Sequence, residues 1–176
     1  MSEYRELLLG CGNNREKRIR QGGRPGEWQS LTTLDIDPGV KPDIVHDLNV
    51  MPLPFADNAF DEVHAYECLE HTGTQGDWRF FFAQFEELWR ILKPDGLLCV
   101  TVPMWDSPWA WGDPGHTRVI PRQSLIFLSQ ANYAAEVGTT SLTDYRPWFK
   151  GDFEFVTFNE GEHQFGFILK ALKATP

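Results

Sequence analysis

The chain is 176 residues long, which leaves room for one hydrophobic core but not for two of ordinary size. With 41% hydrophobic and 23% charged residues it has the balance of a globular protein, which excludes a disordered or fibrous one. A formal net charge of −9 argues against a broad grip on a nucleic acid backbone, and no apolar run approaches the roughly 18 residues that span a bilayer.

Met1 to Tyr4 lead into a strand pattern without a signal-peptide core. Cys11, Cys68 and Cys99 show no CxxC spacing, so neither a zinc site nor a disulfide framework is indicated. The expectation is a single domain over residues 1–176 in a reducing cytoplasm, without a metal, since no two ligands fall at a convincing spacing.

Glu6 to Leu9 begin a short apolar run that ends at Gly10, and Leu31 to Ile36 give a second, with Asp35 and Asp37 at its end. Both read as buried parallel strands. The stretch between them carries Arg15, Lys17, Arg18, Arg20 and Arg24, either a solvated loop or a grip on an anionic substrate. It lacks an apolar stripe, so a helix from Asn13 to Gln29 is expected to be absent or very short. Asp43 to His46 form a third strand before Asp47, and Phe60 to Tyr66 a fourth before Glu67.

From Trp78 to Leu92, the spacing of Phe81, Phe85, Leu88, Trp89 and Leu92 paints one helical face, and Lys93-Pro94-Asp95-Gly96 ends it. Leu97 to Val102 read as a fifth strand. Pro103 to Pro121, with Trp105, Trp109 and Trp111, has no usable period and reads as a long shaped loop. Its tryptophans either wall an acceptor, with Asp106 or Asp113 adding polar contacts, or pin the loop to the core or a second subunit. Ser124 to Tyr133 suggest another helix. Phe153 to Phe158 and Gln164 to Leu172 form a hairpin across Asn159 to Glu162. Strands alternating with helices or loops and closing on a hairpin imply an α/β fold, mostly parallel with an antiparallel end.

Ligands of such sheets sit beyond the carboxyl ends of the strands. Gly10 and Gly12 let backbone approach a ligand there, and Asp35 ends the next strand near the offset of about 20 residues at which a carboxylate accepts from ribose hydroxyls. Asp47 is placed to accept from an adenine amino group, with Ile36 and Leu48 bracketing the base. Arg15 stands where a dinucleotide fingerprint needs its third glycine, so adenosine without a pyrophosphate fits better.

The phrases Leu7 to Asn14 (LLLGCGNN), Leu34 to Pro38 (LDIDP), Pro42 to Leu48 (PDIVHDL), Leu53 to Val63 (LPFADNAFDEV), Cys68 to His71 (CLEH) and Arg90 to Leu98 (RILKPDGLL) recur in order. Together they resemble the motifs of class I S-adenosylmethionine-dependent methyltransferases. Asp113 to Arg118 (DPGHTR) is similar to a segment of small bacterial and phage-associated members. The resemblance implies a Rossmann-like, mostly parallel seven-stranded sheet with an antiparallel terminal hairpin, trimmed at the N-terminus. It implies S-adenosyl-L-methionine as cofactor, with Gly10 and Gly12 at the methionine half and Cys11 between them also at the cofactor, Asp35 at the ribose, and Asp47 with the backbone of Leu48 at the adenine, whose faces Ile36 and Leu48 bracket. Glu67 and Cys68 face the cofactor's other side. Leu8 and Asn14 stand where many members have an acidic residue and a third glycine.

Methyl transfer needs alignment and, for hydroxyl or amine acceptors, a base; His71 and His116 are the candidates. Asp61, Glu62 and Glu70 read as structural. The leading expectation is an enzyme that methylates a small molecule, glycan or cell-surface precursor. The alternatives are an RNA or protein methyltransferase, or a non-catalytic binding or assembly module. An active site with so little cover is either open or closed by a partner chain, a homo-oligomer included.

Overall fold

The computed structural model describes residues 3–174, so the reading of Met1 to Tyr4 falls partly outside it. Seven strands form one sheet: β1 (Arg5–Leu9), β2 (Ser30–Asp35), β3 (Ile44–Val45), β4 (Phe60–Tyr66), β5 (Leu92–Pro103), β6 (Phe153–Glu160) and β7 (Gln164–Ala171). Their order is β3-β2-β1-β4-β5-β7-β6; only β7 runs antiparallel to its neighbours. This is the expected mostly parallel sheet with an antiparallel hairpin at its end.

The period-2 alternation of the strands sorts their side chains onto two faces. Leu7, Leu9, Val63, Ala65, Leu98, Val100, Val102, Phe167 and Leu169 point into the main core. Helix α1 (Trp78–Ile91) covers that face. Asp77 caps it, its carboxylate accepting from the Phe80 amide at 3.0 Å, and Phe82, Phe85, Leu88 and Ile91 are buried. The apolar stripe is thus turned slightly from the expected one: Phe81 and Trp89 are only partly buried. Each fully buried side chain of this size stabilises the fold by roughly 1.5–3 kcal/mol.

The segment Lys93 to Gly96 does not separate helix from strand. Leu92 already pairs with Phe60, and the ladder then shifts register before Glu62 meets Leu97, so Pro94, Asp95 and Gly96 form a bulge inside β5. The expected long loop contains a short helix, α2 (Pro108–Gly112), with the Ser107 hydroxyl accepting from the Trp109 amide and Pro108 in the first turn. The expected helix from Ser124 to Tyr133 is broken. It becomes α3 (Arg122–Leu125), a 3-10 turn over Ile126–Leu128, and α4 (Gln130–Glu136), because Ser129 caps a new start by accepting from the Asn132 amide.

The second face of the sheet is covered differently. Residues 12–29 contain no helix, as their missing stripe foretold, and run as coil across Glu6, Leu8, Glu62, His64 and Tyr66. Ile19 and Trp28 pack there, the indole edge-on to His64. Lys17 is buried beneath this strap, its ammonium 2.5 Å from Glu6 Oε1 and 2.7 Å from Glu62 Oε2, and it also donates to the Pro25 carbonyl at 2.9 Å. Arg15 donates to the carbonyls of Val40 and Lys41, Arg20 to that of Gly26, and Arg24 to that of Asp95, while Arg18 lies over the Tyr66 ring. The basic stretch therefore does not hang free: it fastens the coil to the sheet.

Candidate functional site

A cleft of about 230 Å³ opens at the carboxyl ends of β1 to β4, where the strand order reverses between β1 and β4. Gly10, Leu34, Asp35, Ile36, His46, Asp47, Leu48, Asn49, Glu67, Cys68, His71 and Thr72 line it. Gly10 has φ +57°, and a Cβ there would lie 2.4 Å from Cys68 Sγ, so both backbone and space demand glycine. The Asp35 carboxylate is fixed by two amides, Gly12 N at 2.9 Å and Asp37 N at 2.9 Å. Asp47 accepts from the backbone and side-chain nitrogens of Asn49, whose own carbonyl takes the Gly73 amide. Glu67 adopts φ 50° just after β4 and accepts from Gln164 Nε2 at 2.9 Å. Burial pushes the Cys68 thiol up to about 12, which leaves it a protonated wall and not a nucleophile.

The structure thus gathers Gly10, Asp35, Ile36, Asp47, Leu48, Glu67, Cys68 and His71 around one opening. Cys11 does not line it: its side chain is buried with Leu8 and Tyr66 on the strap side. Gly12 stands behind the cleft as the donor to Asp35. His46, Asn49 and Thr72 line the opening without having been singled out, although His46 and Asn49 belong to the same turn as Asp47 and that proximity was a usable signal.

His71 and His116 meet ring to ring, with centroids 4.6 Å apart. His116 does not line the cleft; its Nε2 lies 4.0 Å from Glu70 Oε1 and 3.9 Å from Asp113 Oδ2. Burial, reinforced by the charge of Glu67, pushes the Glu70 carboxyl up to about 8. Arg118 fills the space behind, donating to the Leu69 carbonyl, to Thr72 Oγ1 and to Gln84 Oε1, and burial lowers its guanidinium to about 10.

A second cavity of about 250 Å³ lies at the start of α1, walled by Trp78, Phe81, Phe82, Phe127 and Tyr145 with Arg118 at its side. It is slightly larger but carries fewer groups able to orient a ligand. Trp105, Trp109 and Trp111 wall neither cavity and are 52%, 62% and 60% exposed.

A sheet of this order with acidic residues beyond the ends of its neighbouring strands defines an α/β protein built to hold a nucleoside. A sequence profile described as a methyltransferase domain matches residues 7–100, more than half of the chain, and the protein belongs to that family, whose cofactor is S-adenosylmethionine. Among solved structures, a SAM-dependent methyltransferase from Archaeoglobus fulgidus is similar with a TM-score of 0.58 at 15% identity, over 95% of this chain and 86% of that one. One from Methanosarcina mazei gives 0.56 at 16%, over 98% and 94%. A Haloferax volcanii methyltransferase, solved with the Trm112 methyltransferase activator, gives 0.58 at 14%, over 97% and 84%. No curated protein sequence matches the chain. No helix among the described residues is long and apolar enough to cross a membrane.

Proposed function

We propose that the protein is an active S-adenosylmethionine-dependent methyltransferase whose acceptor is a small molecule or glycan. The observation that carries the reading is the Asp35 carboxylate, held by two amides at the rim of a cleft that glycine keeps open on the β1 side. The residues fit the cofactor. Gly10 lets the turn after β1 pack directly on Cys68 at the cleft wall, where a Cβ would collide with Sγ, and Asp35 retains lone pairs for two ribose hydroxyls. Asp47 and the backbone of Leu48 would hold the adenine, with the exposed Ile36 side chain against the base, and Glu67 with Cys68 would bound the other side.

When bound, the cofactor supplies an electrophilic methyl group. The chain's own contribution is to orient an acceptor, exclude water and receive a proton. His71 is exposed at the cleft, and its Nδ1 faces the Gly115 carbonyl at 3.1 Å. A carbonyl only accepts, so Nδ1 carries the proton and Nε2 is free to take one from an acceptor hydroxyl or amine. A small or glycan acceptor suits the charge distribution, because the arginines that donate to backbone carbonyls offer no stripe for a phosphate chain.

Calorimetric titration with S-adenosylmethionine and S-adenosylhomocysteine tests the reading. Saturable binding is expected, weakened at least about tenfold in Asp35→Ala by the loss of a charge-assisted acceptor. Absence of binding to the wild-type chain would overturn it.

A further inference from the structure

Two clusters of the described residues bring three metal-capable side chains together, and they differ in one respect. Glu6, Glu62 and His64 already enclose the Lys17 ammonium. Glu70, His71 and His116 enclose nothing: one donor atom from each lies within 4.8 Å of the other two, and neither oxygen of Glu70, 1% exposed, has a hydrogen-bond partner. A buried carboxyl group without a partner is costly in either protonation state, and a bound ion is one way in which such a group is completed.

The histidines are oriented for that role. His71 Nδ1 lies 3.1 Å from the Gly115 carbonyl and His116 Nδ1 lies 3.3 Å from the Ala110 carbonyl. Each ring therefore donates Nδ1–H to the backbone and keeps its lone pair on Nε2, the arrangement by which metal-ligating imidazoles are aimed. The loop that carries His116 is fixed as well. Thr117 N and Arg118 N both donate to the Glu70 carbonyl, and Asp113 Oδ1 takes the Gly115 amide. His116 Nε2 and Glu70 Oε1, 4.0 Å apart, need to close by only about half an ångström to become neighbours around a tetrahedral ion with bonds of about 2.1 Å.

We infer that Glu70, His71 and His116 bind one divalent first-row transition metal ion at the rim of the cleft. Two imidazoles and a carboxylate suit such an ion better than magnesium and leave a coordination position open. His71 lines the cleft, so that position adjoins the place where an acceptor would enter; with the ion bound His71 Nε2 is a ligand and no longer a base, and an acceptor hydroxyl at the open position would instead release its proton more readily to solvent water. This catalytic consequence rests on the methyltransferase reading; the metal site itself does not.

The test is titration of the full chain, stripped by chelator and dialysed, with cobalt(II), followed by visible absorbance and calorimetry. One equivalent is expected to bind with the spectrum of nitrogen ligation and to resist excess magnesium(II). Affinity is expected to fall at least about tenfold in Glu70→Gln, His116→Asn and the exposed, fold-neutral His71→Asn, and to be unchanged in His163→Asn. Cobalt that fails to saturate, binds His71→Asn as tightly as wild type, or is displaced by magnesium overturns the inference. S-adenosylhomocysteine titration of the same samples separates the two readings: its binding without cobalt binding removes only the metal site, and cobalt binding without it removes only the cofactor assignment.

Discussion

Lys17 in the coil between β1 and β2 reaches within 2.7 Å of Glu62 on β4, and both side chains are shut off from water. Burial alone would raise Glu62, but hydrogen bonds from His64, Lys17, Glu6 and Tyr4 outweigh it and hold the carboxylate well below its usual range. Burial alone would likewise lower Lys17, and bonding to Glu6 and Glu62 reverses this. Removing the cation leaves a buried anion without compensation, so Lys17→Met is expected to cost about 3–5 kcal/mol in urea unfolding. The double variant Lys17→Met, Glu62→Gln is expected to regain part of that loss, because the stranded charge is gone.

His64 ties stability to pH. Its Nδ1 takes the Tyr66 hydroxyl proton at 2.6 Å and its Nε2–H donates to Glu62 at 2.9 Å, an arrangement complete for the neutral ring. Burial, opposed by Glu62, holds its pKa below the ordinary 6.5. The unfolded chain therefore takes up a proton that the folded chain refuses, so stability is full above about pH 6.5 and declines as pH falls below it, with a slope of at most about 1.4 kcal/mol per pH unit. Urea midpoints from pH 7.5 down to 5.5 check this, with His64→Gln expected to flatten the dependence.

Gly10 and Gly12 are expected to respond unequally to alanine. Both have positive φ, but a Cβ at Gly10 would strike Cys68 Sγ, whereas one at Gly12 would meet nothing within 4 Å. Gly12→Ala is expected to cost about 1–2 kcal/mol of backbone strain. Gly10→Ala adds overpacking of about 1–3 kcal/mol and pushes the β4 turn into the cleft. Thermal melts and S-adenosylhomocysteine titration distinguish them: both lose stability, and Gly10→Ala alone loses affinity.

Gln84 is a buried polar residue on an otherwise apolar face of α1, and its carbonyl receives Arg118 while its amide donates to Thr72. Gln84→Leu removes one of the three acceptors of the buried guanidinium and is expected to cost about 1–3 kcal/mol, measured by chemical denaturation. Thr72 lines the cofactor cleft, so a smaller decline in S-adenosylhomocysteine affinity is expected alongside it.

The elements that announced themselves were those whose pattern is local. The apolar run of β1, the strand residues of β4, the stripe of α1 and the closing hairpin each carry their signal within a few residues, and the acids at 35, 47 and 67 follow the strands they end. What stayed hidden depends on distant partners. Nothing in the sequence pairs Glu6 on β1 and Glu62 on β4 with Lys17, and nothing in residues 12–29 reveals that a polar coil covers a sheet face. His71 and Glu70 adjoin in sequence, but only the fold brings His116 beside them. The break at Ser129 went unread, because the apolar residues on both sides of it continue a helical pattern.

A coil fastened by separate anchors has a different tolerance from a helix that packs along its whole length. Between the buried Lys17 and the Trp28 that rests on His64, the glycines at 22, 23 and 26 meet no neighbouring atoms where a side chain would begin. Of these, Gly22 and Gly23 fall between the anchors Arg20 and Arg24, and there evolution or an engineer can insert residues and present a new surface, leaving the register of the sheet beneath to the anchors on either side.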